Sequence, residues 1–266
     1  MDRPGIPPRT VMLDERLQAV GVALGSEPVA AWLRLHEAEG PRATMIDLYA
    51  LAAAPRGLLA TDLLLEERWE LWRSVADVIW PGFAVTADSS RRGDLIEIVD
   101  YDPSWPAAYE SWRERISGAL ASSALAIEHV GSTSVPGLPA KAIIDVQVSL
   151  ADLADEDAYV PQLAEVGLQL RSRDDYHRYF RPHAGQPRSV HTHVCTTGSA
   201  WERDHLLFRD YLRTHPADRD SYAKTKRAAA LAWSDDGIGY TDAKSETILD
   251  IMADAAVWRA AAGDGA

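Results

Sequence analysis

The chain has 266 residues, 47% hydrophobic and 25% charged, and a net charge of −13 at pH 7; it is a globular protein with one large domain or two small ones. Its acidity excludes non-specific nucleic-acid binding, which rests on neutralising phosphates with basic side chains, and its single cysteine, Cys195, excludes an internal disulfide framework and a cysteine-rich zinc site. No apolar run reaches the ~20 residues of a membrane span, and the first eight residues lack the basic-then-apolar pattern of a signal peptide, so a cytoplasmic location and no membrane partner are expected.

Residues 1–93 read as a helical accessory region. Ser26 suits a helix cap, with Glu27 and Pro28 in the first turn. Thr44 caps a short helix over 45–54 that Pro55 and Gly57 stop. Over 61–80, Leu64, Leu65, Trp69, Trp72, Val75, Ala76 and Ile79 share one side at helical spacing, and Pro81-Gly82 ends the run. Nothing in this region has the look of a site. A homodimer contact or a docking surface for a protein partner is the role such helices suit. The polar stretch 87–94 has no periodicity and reads as a linker, which divides the chain into 1–93 and 94–266.

After the linker the pattern changes to strands. Residues 95–99 alternate as a short strand, and 105–120 form an amphipathic helix. Strands follow near 125–130, 142–150, 167–171, 177–182 and 189–195, with a helix over 153–166. Ser199 and Glu202 make a capping box for a helix to 213. Pro216 opens another to about 233, and Thr241 caps a last one to about 262. Strands interleaved with helices in this way predict an α/β (α+β) domain, a mixed sheet flanked by helices.

The chemistry concentrates in 129–147. A strand runs into the turn Gly131-Ser132, a loop rich in glycine and proline follows, and the next apolar strand carries Asp145 and Gln147. A turn of this composition presents backbone N–H groups and the hydroxyls of Ser132, Thr133 and Ser134, which suits a phosphate. Lys141, just ahead of the second strand, is the best placed lysine for that anion. Residues two apart on a strand share a face, so Asp145 and Gln147 both face the turn and can hold a cation over the phosphate. Gln147 brings a neutral oxygen where a two-cation site calls for a second carboxylate. The alternative is a carboxylate that only accepts hydrogen bonds from loop amides.

His191 and His193 share a face of the strand 189–195. With Asp145 they compose a two-histidine, one-carboxylate set, which suits a transition metal with open positions; the alternative is a polar strand face bonded to the loop. Arg178, on the strand 177–182, is a fork for phosphate or carboxylate. Arg209 and Arg213 lie one turn apart on the capped helix, as do Tyr222 and Lys226 on the next and Tyr240 and Lys244 near the last. Of these, Arg209 and Lys226 join Arg178 and Lys141 as candidate phosphate ligands, while turn-spaced Tyr/Lys pairs otherwise decorate a solvated face.

The segments EHVGSTSVPGLPAKAIIDVQVSL (128–150), HTHVC (191–195), WERDHLLFRDYLRTHP (201–216) and YAKTKRAAA (222–230) resemble the GrpB family, a bacterial group assigned to the nucleotidyltransferase superfamily. The resemblance covers residues 95–262 and implies a nucleotidyltransferase-like mixed sheet flanked by helices. It implies that Gly131, Ser132 and Asp145 stand at the superfamily's Gly-Ser and first-acid positions. The second acid then falls at Gln147, and a third at His191 or His193. The expected activity is metal-assisted transfer on a nucleotide or phosphorylated small molecule, with Asp145 and His193 catalytic. The expected cofactor is a divalent metal, magnesium or manganese ahead of zinc or iron, held by Asp145, Gln147, His191 and His193. The alternative is a non-catalytic nucleotide- or metabolite-binding, or chaperone-like, module that has lost the metal site.

Overall fold

The computed structural model describes residues 95–173, 177–183, 185–235 and 237–263. The helices expected over 1–93, and all of the expected linker, lie outside the described residues. In chain order, helix α1 (Trp105–Leu120) precedes strands β1 (Ala126–Val130) and β2 (Ile144–Leu150), then helix α2 (Val160–Glu165). Strands β3 (Leu168–Arg173), β4 (His177–Pro182) and β5 (Val190–Thr196) follow, then helices α3 (Ala200–Thr214), α4 (Pro216–Ala232), α5 (Gly237–Asp242) and α6 (Ser245–Gly263).

The strands form one sheet in the order β1-β2-β5-β4-β3. The β2–β5 pair is parallel and the other three pairs are antiparallel. The expected mixed sheet flanked by helices is therefore what these residues form. β2 lies between β1 and β5 and is buried along almost all of its length, its polar Gln147 and Ser149 included.

One face of the sheet is a hydrocarbon core. Val146 and Val148 of β2, Val190 and Val194 of β5, Phe180 of β4 and Leu168 of β3 pack with Trp105, Ile116 and Leu120 of α1 and Leu163 of α2. A second apolar cluster joins Val135 and Leu138, in the loop after β1, to Tyr211 and Leu212 of α3, Tyr222 of α4, and Ile251 and Ala255 of α6. The C-terminal helices thus hold the loop that leads from Gly131 to β2.

Three expected elements differ. Residues 95–99 form no strand, only an isolated bridge between Val99 and Ala140; the Ile96 N–H goes to Ser234 O at 2.6 Å. The alternation there is real, but Ile96 and Ile98 pack on Ala229, Ala230 and Tyr240 instead of on a sheet. The helix expected over 153–166 shrinks to Val160–Glu165 after a single 3-10 turn, Glu156–Ala158. Asp152 turns the chain by accepting the Ala154 N–H at 2.8 Å, and Pro161 fits only at a helix start. Thr241 caps no helix: its hydroxyl donates to Gly237 O at 2.8 Å inside α5, and the last helix begins at Ser245. By contrast Ser199 does cap α3, accepting the Glu202 N–H at 3.2 Å.

Among the described residues, no helix is long and apolar enough to cross a membrane.

Candidate functional site

Parallel pairing of β2 and β5 sets Asp145 beside His191 and Gln147 beside His193. Because neighbouring residues alternate faces, the valines that flank them go to the core and these four side chains share the opposite face. His191 Nδ1 lies 3.3 Å from Asp145 Oδ1, and His193 Nε2 lies 3.8 Å from the same oxygen. One ligand atom from each of the three falls within 4.8 Å of the others.

The imidazoles are held from behind. The His193 ring is packed by Tyr179 at 5.3 Å, His177 at 5.7 Å and Trp201 at 5.3 Å between centroids. His191 meets the Tyr179 ring edge-to-face at 5.3 Å. Its Nε2 lies 3.3 Å from an Arg188 guanidinium nitrogen, which can only donate, so the ring proton sits on Nδ1, toward Asp145. Burial alone would raise the Asp145 carboxyl, but hydrogen bonds from His191 and His193 hold it well below the usual carboxylate range. Burial lowers His191 to about 4 against the pull of Asp145. At neutral pH the carboxylate is therefore ionised and His191 neutral, the protonation states that metal capture requires.

Gly131 closes against this group. Its φ of +67° favours glycine, and a Cβ built there would sit 2.3 Å from Asp145 Oδ2. The turn brings its backbone to the carboxylate only because the side chain is missing.

The other expected anion ligands divide into two sets. Lys141 and Lys226 reach the Asp145 neighbourhood. Lys226, 2% exposed, donates to Pro139 O and is lowered to about 7 by burial and by Lys244, with Asp145 opposing. Lys141 Nζ lies 4.1 Å from the centre of the Tyr240 ring. Ser132 lies within hydrogen-bonding reach of the Tyr222 hydroxyl, which burial pushes above its ordinary range.

Thr133, Ser134, Arg178 and Arg209 do not join them. Thr133 is buried and its hydroxyl bonds His129 Nε2 at 3.0 Å. The Ser134 hydroxyl donates back to Gly131 O at 2.6 Å, so both hydroxyls build the turn instead of facing a ligand. Arg178 pairs with Val194 across the sheet and so projects to the core face, where it meets Glu156 at 2.6 Å. Arg209 is committed to Glu128 at 2.7 Å, Asp210 at 2.7 Å and His129 O at 3.1 Å. With Arg213, whose guanidinium donates twice to Ser134 O at 3.0 and 2.8 Å, it pins α3 to β1 and to the turn.

Gln147 is fully buried beside His193, and among the described residues neither of its amide atoms has a hydrogen-bond partner. The expectation that Tyr/Lys pairs decorate a solvated face does not hold for these helices. Tyr222 and Tyr240 are 4% and 3% exposed, and Lys244 Nζ lies 4.1 Å from the Tyr240 ring centre. Lys244, lowered to about 8 by burial with Asp145 opposing, is the group that periodicity missed. The signal available was scarcity: Lys141, Lys224, Lys226 and Lys244 are the only lysines in the chain.

The model of the GrpB protein family matches residues 95–254. A UPF0157 protein of Halalkalibacterium halodurans is 44% identical over 161 residues, 59% of this chain and 80% of that protein. One from Streptomyces coelicolor is 42% identical over 164 residues, 62% and 86% of the respective chains. The crystal structure of conserved protein GrpB from Enterococcus faecalis superposes with a TM-score of 0.55 at 30% identity, covering 60% of this chain and 96% of that one. The matched span takes in the Gly131 turn, Asp145, the two strand histidines and Lys226, and with these relatives it makes the chain a member of the GrpB family.

Proposed function

We propose that this protein performs metal-assisted transfer chemistry of the nucleotidyltransferase type on a nucleotide or phosphorylated small molecule. The observation that supports it is convergence: Asp145, His191 and His193 bring ligand atoms within 4.8 Å of one another, and Lys226 and Lys244 lie near enough for the Asp145 carboxylate to act on them.

The donor set fits a divalent cation. Asp145, His191 and His193 would hold it, and two imidazoles with one carboxylate suit manganese, zinc or iron better than magnesium. Such a cation, when bound, supplies Lewis-acid stabilisation of charge developing on a phosphoryl oxygen. Were His191 to hold the cation through Nδ1, the nitrogen facing Asp145, its ring proton would belong on Nε2, beside Arg188. Gly131 lets the chain approach the reacting group, Ser132 offers a hydroxyl to a phosphate oxygen, and Lys141 and Lys226 counter its charge. Arg209 and Arg213 keep the turn in place.

The test is a thermal-shift series with nucleotides and manganese, zinc, magnesium or EDTA, on the natural protein and Asp145→Asn. A ligand at 100 times its Kd adds about 2.7 kcal/mol. A nucleotide shift that needs the metal and disappears in Asp145→Asn supports the reading. A shift of the same size in EDTA, or in Asp145→Asn, sinks it.

One observation favours a second reading. Gln147 is neutral and buried where a two-cation site needs a carboxylate, as in a binding module whose ligand is indifferent to chelator. In that reading residues 1–93 supply the docking surface for a protein partner.

A further inference from the structure

His205 stands one turn after Trp201 on α3 and is not one of the three metal-ligating residues. Its Nδ1 lies 2.7 Å from the Trp201 carbonyl oxygen. A carbonyl only accepts, so the ring proton sits on Nδ1 and Nε2 keeps its lone pair. At Nε2 no hydrogen-bond partner stands among the described residues. The imidazole lies flat on the Trp201 ring, 3.6 Å between centroids and 17° between planes. The residue is exposed to solvent, yet the packing around its ring is dense enough that desolvation lowers it to about 4. The Trp201 carbonyl opposes that shift, His193 and His177 add to it, and Asp145 opposes it.

His215, at the end of the same helix, shows which part of this is local. It stacks on Tyr211 at 3.8 Å, and its Nδ1 lies 2.9 Å from the Tyr211 carbonyl oxygen. An aromatic residue followed one turn later by histidine therefore gives the tautomer by spacing alone. What differs is what the aromatic ring touches. Tyr211 meets Trp258 at 5.9 Å, whereas Trp201 packs on His193 at 5.3 Å and on His177 at 5.1 Å. His205 thus brings a bare nitrogen close enough for the Asp145 carboxylate to act on it.

We propose that Nε2 of His205 is a nucleophile that takes the transferred phosphorus of a phosphoanhydride covalently and then gives it to the acceptor. In the first displacement the Nε2 lone pair bonds to phosphorus. The anhydride P–O bond breaks, and its electron pair leaves on the departing phosphate. No proton moves, because Nδ1 keeps its own, and the ring becomes positive. The Trp201 carbonyl then accepts a charge-assisted hydrogen bond, and the indole face beneath the ring attracts the cation. Both groups are in place before charge develops, which is the arrangement that lowers a barrier. In the second displacement an acceptor oxygen bonds to phosphorus, the P–N pair returns to Nε2, and the acceptor's proton goes to solvent.

A histidine nucleophile here presupposes the transfer chemistry proposed above, and one experiment separates the two. Treat the full chain with phosphoramidate, a phosphoryl donor to imidazoles, in EDTA and in manganese. Follow the acid-labile, alkali-stable label by peptide mass mapping, with N-acetylhistidine as the free-imidazole reference. Label on His205 is expected to form at least about tenfold faster than on the reference, while His215 reacts no faster than the reference. Exposure alone cannot outpace a free imidazole. In His205→Asn the fast phase is expected to vanish. Manganese is expected to speed the labelling of His205 in the natural protein and not in Asp145→Asn. A His205 that reacts no faster than the reference, in EDTA and in manganese alike, overturns the inference even where nucleotide binding needs the metal. So does a fast phase that survives in His205→Asn. Fast labelling of His205 that ignores both manganese and Asp145→Asn sustains the nucleophile and counts against the metal reading alone.

Discussion

A Cβ at position 131 would fall 2.3 Å from Oδ2 of Asp145, so the glycine of the turn and the carboxylate of β2 occupy what would otherwise be the same space. Gly131→Ala has to move one or the other, and it adds a left-handed backbone that alanine adopts reluctantly. We expect a loss of about 1–3 kcal/mol of stability and a weakening of manganese or zinc binding of about tenfold or more. Chemical denaturation and metal titration measure the two. A variant with natural stability and natural metal affinity would falsify the close approach.

Arg209 belongs to the frame and not to the ligand. It makes three hydrogen bonds to Glu128, Asp210 and the His129 carbonyl with a side chain only 11% exposed. Arg209→Ala should cost about 2 kcal/mol of stability. Anion affinity, measured well below the melting temperature, should stay within about twofold of the natural value. A stable variant that has lost anion binding would return Arg209 to the role its sequence position suggests.

Gln147→Glu tests the single-cation reading. The side chain is fully buried beside His193, with no partner for its amide among the described residues. A carboxylate there has to be paired or coordinated, so in EDTA the variant should melt lower, by about 2 kcal/mol. Manganese should recover most of that loss, since the new oxygen adds an anionic donor to the Asp145 group. A metal-induced stabilisation no larger than that of the natural protein would show that Gln147 does not border the cation.

His129 predicts an acid limb in the stability curve. The ring is 7% exposed, stacks on Tyr109 at 4.6 Å and bonds the Thr133 hydroxyl. Burial lowers it to about 4, with Asp145 pulling the other way. Unfolded, it titrates near 6.5, so from there down to about 4 the unfolded chain takes up a proton that the folded one refuses. Its contribution is complete above pH 6.5 and is lost as the pH falls, by at most about 3 kcal/mol. His129→Phe keeps the stack and should flatten this part of the profile; denaturation midpoints at pH 4.5 and 7 decide it.

Much of this was legible in the residues themselves. Helix α1 was bounded correctly by its amphipathic spacing, and Ser199 by its cap, because both signals are local. Alternation along 144–150 and 190–196 sorted Asp145, His191 and His193 to one side and the valines to the other, since side-chain direction on a strand depends on parity alone. Parity could not say which strands are neighbours. That β2 lies parallel to β5, with Asp145 opposite His191, is decided only when strands far apart in sequence pair in the folded sheet. The same limit explains Arg178. Its parity placed it with Phe180, but only the packed fold shows that this side is the core, where Glu156 takes it. The lysines mark the limit most clearly: spacing along a helix describes neighbours on that helix, and Lys141, Lys226 and Lys244 become neighbours only when three separate elements fold around Tyr240 and Asp145.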